Sequence, residues 1–482
     1  MSKSLKMKLK AGALIGAVAL SAFVGRGQAS ADYGTSFTTS VTYQNVGDAT
    51  ANVQFEIYNS TGTSVGSVTR ILAAGGADSL FVGGIATLGT NFSGAATMSS
   101  DQPLVATLVQ LPAAGSSVTN RPLSNGFADG TDRVLLATVL KATFGASTKF
   151  SIQNIDSSPA NISIKFYSTS NVLVHTVAAN NVPANSAYYV SSADIAELGA
   201  SFNGSVIADS VRVGGGAGKI VGTALELQVV GPRATAFEGV QSGSGTVYMA
   251  TALCSAFGGT TTFYAVQNAG AAVTDVTVTY QGGGTETKPA IGPGAKVSLN
   301  TCDVKGANYS GAATITTSAG GLIVVVGKAS GPGLMSTAFV GAASGVDTLA
   351  HPYVRWSTTR YDLGDRTRQR GNVALQNVGA ATVNNVTVKY IDKDGKLVGT
   401  HTIASIAPGA KVNSNPTNAI QTPGYDGSST LVEFGYYGAT SSTGGGALVE
   451  APPGSTIISI VRISSSPASG LVSEDYSGQP IQ

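Results

Sequence analysis

Charge is scarce in this chain. Of 482 residues, 28 are Lys or Arg and 26 are Asp or Glu, so charged side chains make up 11%, against about 25% in ordinary soluble domains. That scarcity excludes a coiled coil or long helical bundle, whose faces need abundant Glu and Lys. The formal net charge is only +2, which argues against a basic nucleic-acid surface. Histidine (3), cysteine (2) and tryptophan (1) are rare, so acid–base catalysis and metal binding are poorly supplied. The longest apolar run, residues 11–24, falls short of the roughly 20 residues that span a bilayer. No other window of helical length carries a 3.6-residue apolar stripe. What the chain has is 62 Gly and 43% apolar residues, enough to build a core and too many for charge-driven disorder.

The N-terminus reads as an export signal. Lys3, Lys6, Lys8 and Lys10 precede the apolar run, and the small-x-small site Ala29-Ser30-Ala31 follows it. That order is the pattern of a secretory signal peptide, predicting cleavage after Ala31. With Arg26, five positive charges would leave, giving 23 basic against 26 acidic side chains and a net charge of −3. The expected location is extracellular or at the cell surface, with no transmembrane segment in the mature chain.

The rest repeats. Gln-Asn recurs at Gln44-Asn45, Gln153-Asn154, Gln267-Asn268 and Gln376-Asn377. A turn follows each, at Gly75-Gly76, Pro183-Ala184, Pro293-Gly294 and Pro408-Gly409. Next comes an aromatic-x-Gly unit, at Phe92, Phe202, Tyr309 and Tyr425. Three marks in one order predict four tandem modules: 32–130, 131–244, 245–345 and 346–482. The period, about 110 residues, exceeds that of a solenoid unit and suits domains on a string.

Within a module, apolar and polar residues alternate, as in Val53, Phe55 and Ile57 against Asn52, Gln54 and Glu56. Period two predicts half-buried strands. Parity places Ile57, Phe166, Tyr280 and Tyr390 in the core and turns Tyr58 and Tyr167 to solvent. Module two shows seven candidate strands, near 134–140, 149–153, 161–167, 172–177, 187–190, 205–208 and 219–228. The fold class is therefore all-β: a tandem array of immunoglobulin-like antiparallel β-sandwiches after a cleaved signal peptide. The Ala-Phe patterns near Phe237 and Phe339 read as short joints between touching modules. A strand precedes Gln-Asn in modules two and three, but in module one that position falls inside the signal peptide. Four modules with three linking strands would leave one open sheet edge, a template for strand exchange between subunits.

Chemistry is thin. His175, His351 and His401 have no ligand-spaced partners. Gly62 to Gly66 imitates a nucleophile elbow but sits in a β-hairpin rather than a strand-to-helix turn. Gly214 to Lys219 fails the phosphate-loop spacing. Asp392-Lys393-Asp394-Gly395 reads as a hairpin turn. No catalytic, cofactor-binding or metal residue is assigned. Cys254 and Cys302, both in module three, predict a disulfide in an exported chain. Arg355, Arg360, Arg366, Arg368 and Arg370 cluster in an insertion of module four, a candidate contact with an acidic partner. Asn59, Asn91, Asn161, Asn203, Asn308 and Asn385 are candidate glycosylation acceptors.

The run from Gln267 to Gly270, Val276 to Tyr280, Ile291 to Gly294 and Tyr309 to Ala312 resembles repeat modules of large secreted surface proteins of bacteria and some archaea. The resemblance covers nearly all of residues 32–482 and implies a scaffold at the cell exterior. It brings no catalytic residues. The expected function is a non-enzymatic structural subunit of a surface layer, sheath or filament, self-associating or joining other surface proteins. The alternative is an adhesin or carbohydrate-binding array recognising glycans on Tyr58, Tyr167, Tyr188 and Tyr361.

Overall fold

The computed structural model describes residues 36–89, 92–113, 116–118, 120–228, 233–333, 335–357, 369–423, 433–435, 444–465 and 472–481, with the backbone of 14–18. Among the described residues all regular structure is antiparallel β-sheet, apart from six single-turn 3-10 helices. The strands form eight sheets, stacked as four pairs along the chain.

Pair two shows the plan. Its hairpin sheet runs in the order Leu173–Val182, Ala160–Ser168, Phe202–Arg212, Arg133–Lys141. Its motif sheet runs Ala187–Ser191, Ala146–Asn154, Ile220–Gln228, Arg233–Glu238, with Gln153-Asn154 ending the second strand. Alternation drives the stacking, since one face of Ala160–Ser168 is buried at Ile162, Ile164 and Phe166 while Asn161, Ser163 and Lys165 face outward. The core positions Ile57, Phe166, Tyr280 and Tyr390 are all 1% exposed or less.

Two features differ from the sequence reading. First, the Ala-Phe joints are strands. Arg233–Glu238 and Ser336–Val340 close the motif sheets of pairs two and three, as Leu123–Asn125 and Val472–Ser477 do in pairs one and four. Second, the pairs do not hang on a string. The four closing strands touch one another in a cycle, one to two, two to three, three to four, and four back to one. Apolar clusters cross the boundaries: Val324, Val326 and Ala338 of pair three join the core of pair two, and Val109 and Leu123 of pair one join that of pair four.

The strand that leads each module joins its hairpin sheet beside the aromatic-x-Gly strand or its equivalent. Arg133–Lys141 and Thr246–Cys254 lie at the sheet edge in pairs two and three, and Thr348–His351 lies between Gly445–Glu450 and the short Gln479–Pro480 in pair four. Pair four therefore has its own leading strand. In pair one that place is taken by Leu14–Val18, antiparallel to Ala95–Ser100.

Candidate functional site

The repeated motifs build the joints of the ring. Each Asn of Gln-Asn pins two turns at once. The Asn154 Nδ2 donates to the carbonyls of Ser158 (2.9 Å), Val182 (3.0 Å) and Pro183 (3.2 Å), while its Oδ1 accepts from the Asp156 N–H (3.0 Å). Asn45, Asn268 and Asn377 make the same set, each accepting from the N–H two residues on and donating to the carbonyl four residues on. A short amide that both donates and accepts suits such turns. The Gln beside it reaches across a joint instead. Gln153 donates to the Ala96 carbonyl of pair one, and Gln267 to the equivalent Val206 carbonyl of pair two.

Hairpin tips dock on the next pair's turn. The tip at Gly62 lies on Ala184. Tyr167 covers the turn of pair three, where a Cβ on Gly294 would sit 2.7 Å from its ring. Tyr167 is thus a joint residue rather than a solvent-facing one. Gln281 accepts from the Lys411 N–H at 3.1 Å. The cycle closes when the Lys393 carbonyl of pair four accepts from the Ala77 N–H of pair one at 2.9 Å. Gly395 carries a φ of +82° there, with Ala74 O against the position of its absent Cβ, so only Gly fits.

Buried charge concentrates at these joints. Arg121 of pair one and Glu474 of pair four are 0% and 1% exposed, with Nε–Oε1 at 3.0 Å, and the Arg121 N–H also donates to Glu474 (3.0 Å). Lys296 donates to Thr138 (3.0 Å) and Asn203 (2.6 Å) of pair two. Burial, then the neighbouring Lys328, pushes the Lys296 amine down to about 7, against the pull of Glu226. Lys411 is the equivalent residue one joint on, donating to Thr251 at 3.3 Å, and burial lowers it to about 7 too. Glu238, where the closing strands converge, accepts from the Asn125 N–H, and burial raises it to about 7. Around it Asn125 donates to the Ser477 carbonyl (2.8 Å) and Ser477 to the Val340 carbonyl (2.8 Å). A cleft of about 690 Å³ opens here, lined by all four pairs, including Met98, Phe127, Val240, Ile323 and Pro480.

No signal in the sequence marked Arg121, Glu474, Lys296 or Glu238, because their partners lie in other repeats. Sequence-predicted residues fall elsewhere. Cys254 and Cys302 are joined, Cα–Cα 4.9 Å. Arg355 is buried, its guanidinium 4.5 Å from the Tyr353 ring centre, so it is held inside pair four rather than offered to a partner. Arg370 stacks on Trp356 at 4.3 Å. Arg360, Arg366, Arg368 and Asn91 lie outside the described residues. Asn161, Asn308 and Asn385 are exposed. The Asn59 amide is held in its own hairpin by the Thr61 and Thr63 N–H groups, and Asn203 is closed off by Lys296. His351 is fully buried on Ser459 (2.8 Å) and pushed down to about 3 by burial. His401 meets Ser414, and His175 faces Glu197. Among the described residues no three His, Cys, Asp or Glu side chains converge as a metal site, and no helix is long and apolar enough to cross a membrane.

The chain matches no protein-family model and no curated protein. Among solved structures it is similar to a tetra-tandem repeat from the extending region of a large adhesion protein, 14% identical over 94% of this chain and 98% of that one, TM-score 0.11. A serine-rich repeat protein of Streptococcus agalactiae is 8% identical over 54% of this chain and 85% of that one, TM-score 0.12. A β-glucuronidase of glycoside hydrolase family 2 is 9% identical over 68% and 30%, TM-score 0.14. At these scores none of the three carries an argument about activity.

Proposed function

We propose that the protein is a non-enzymatic structural subunit of the cell exterior, a rigid block from which a surface layer, sheath or filament is built. The observation that carries this reading is the closed cycle of hairpin-on-turn joints. Four repeats use their shared surfaces to dock on one another, which yields a stiff body. The immunoglobulin-like description, the module limits 32–130, 131–244, 245–345 and 346–482, and export by cleavage after Ala31 belong to the same proposal. So does assembly through an open sheet edge. The Arg360, Arg366 and Arg368 segment remains a candidate acidic-partner contact, and Asn161, Asn308 and Asn385 are the acceptors best placed for glycans. Negative-stain imaging of native surface material tests the reading. Lattices or fibres of four-lobed blocks are expected, while dispersed single molecules that bind glycans would overturn it in favour of an adhesin.

A further inference from the structure

We infer that removal of the N-terminal segment opens a strand-wide acceptor slot in pair one, which a separate exported polypeptide fills by β-strand addition. This rests on the leader reading above. The leading strands of pairs two and three are buried on both faces. In Arg133–Lys141, Val134, Leu135, Leu136, Ala137, Val139 and Leu140 are all 2% exposed or less. Thr246–Cys254 is buried alike at Met249, Ala250, Ala252 and Leu253. A strand covered on both faces reads as a continuous apolar run rather than an alternating one. Residues 11–24 are such a run, and Leu14–Val18 occupies the slot of pair one in the equivalent register. Val18 lies opposite Ala96 and Gly16 opposite Met98, as Leu136 lies opposite Val206 and Val134 opposite Ala208.

Cleavage after Ala31 takes this strand away. Only residues 32–36 would then precede Phe37–Asn45, too few to supply a nine-residue leading strand like Arg133–Lys141. The outer edge of Ala95–Ser100 would be left without its partner. Exchange among processed copies cannot repair this, because each copy brings three linking strands and four slots. The donor is therefore an extended, continuously apolar segment of a different chain, held by main-chain hydrogen bonds along Ala95–Ser100.

The test uses the processed protein and a synthetic peptide of residues 11–21. Saturable 1:1 binding, a rise in thermal midpoint and new hydrogen-exchange protection at Ala95–Ser100 are expected. A peptide carrying Val18→Asp should lose that binding, with no variant of the protein needed. Slot-facing amides of Ala95–Ser100 already protected without peptide, together with no binding, would overturn the slot while leaving the leader reading intact; the alternate amides are bonded to Ala51–Tyr58 in either case. Native protein whose N-terminus still includes residues 14–18 would overturn both. Oligomers of the processed protein that disperse on adding peptide would overturn the separate donor, placing it in a second copy.

Discussion

Cutting the Arg121–Glu474 pair should open the ring. Replacing Glu474→Ala removes the Nε–Oε1 contact at 3.0 Å and the main-chain contact at 3.0 Å. It leaves a guanidinium with no solvent exposure facing a lost partner. Removing one member of a buried ion pair costs about 3–5 kcal/mol, because the remaining charge stays desolvated. The change acts on the joint between the first and last repeats, the one joint no short linker holds. We therefore expect two effects: a lower urea midpoint and an open, extended particle in small-angle scattering. The wild-type radius of gyration should be compact, about 23 Å for 482 residues, and should grow in the variant. An apolar pair, Arg121→Met with Glu474→Leu, should restore most of the stability, since well-packed apolar isosteres often match a buried ion pair. A wild type that already scatters as an elongated string would refute the ring. So would a Glu474→Ala variant whose urea midpoint is unchanged.

Three further predictions follow from the joints and the core. Lys296 titrates near 7 in the folded chain against 10.5 unfolded, so the unfolded chain binds more protons across that window and stability should rise with pH from about 7 towards 10.5. Urea midpoints measured over that range should climb, with Lys411 contributing alike. Lys296→Met should lessen the climb, while the double change Lys296→Met with Lys411→Met flattens it. Glu238 works oppositely, with a folded value near 7 against 4.5, so its contribution falls as pH rises from about 4.5 to 7. That fall runs against the rise that His351, near 3 folded and 6.5 unfolded, gives over most of the same window. Glu238→Gln should therefore leave a steeper rise of stability with pH there in the same assay. Non-reducing digestion should give a linked peptide pair containing Cys254 and Cys302, 48 residues apart. Reduction should lower stability by about 3–4 kcal/mol on loop entropy, and two free thiols would contradict the bond.

Much of each repeat is legible from local pattern. Period-two parity separates Ile57 from Tyr58 and Phe166 from Tyr167, and burial agrees at Ile57 and Phe166. The seven candidate strands of module two all lie within or overlap observed ones. Parity failed at Tyr167 because it distinguishes the two faces of a sheet but not what covers the outer one. The eighth strand, Arg233–Glu238, looks like a joint in the sequence because Gly and Ser beside it imitate a linker. Its strand character comes from pairing with Ile220–Gln228. The Gln-Asn marks were visible, but their roles were not. Asn154 acts on carbonyls up to 29 residues away, and Gln267 on a carbonyl in another repeat.

By itself the sequence determined the class, the fourfold repetition, the strand faces and the shortage of catalytic groups. Those properties follow from periodicity and composition, which act over a few residues. Only the tertiary structure decided that the repeats close into a cycle and that Arg121 meets Glu474 across 353 residues. It also decided that Leu14–Val18 stands where the other repeats place a linking strand. These outcomes depend on which surfaces of similarly patterned modules face each other. Scarce charge then takes on a position as well as a number, because several of the few charged side chains lie desolvated in the joints, where an unmatched partner is most costly.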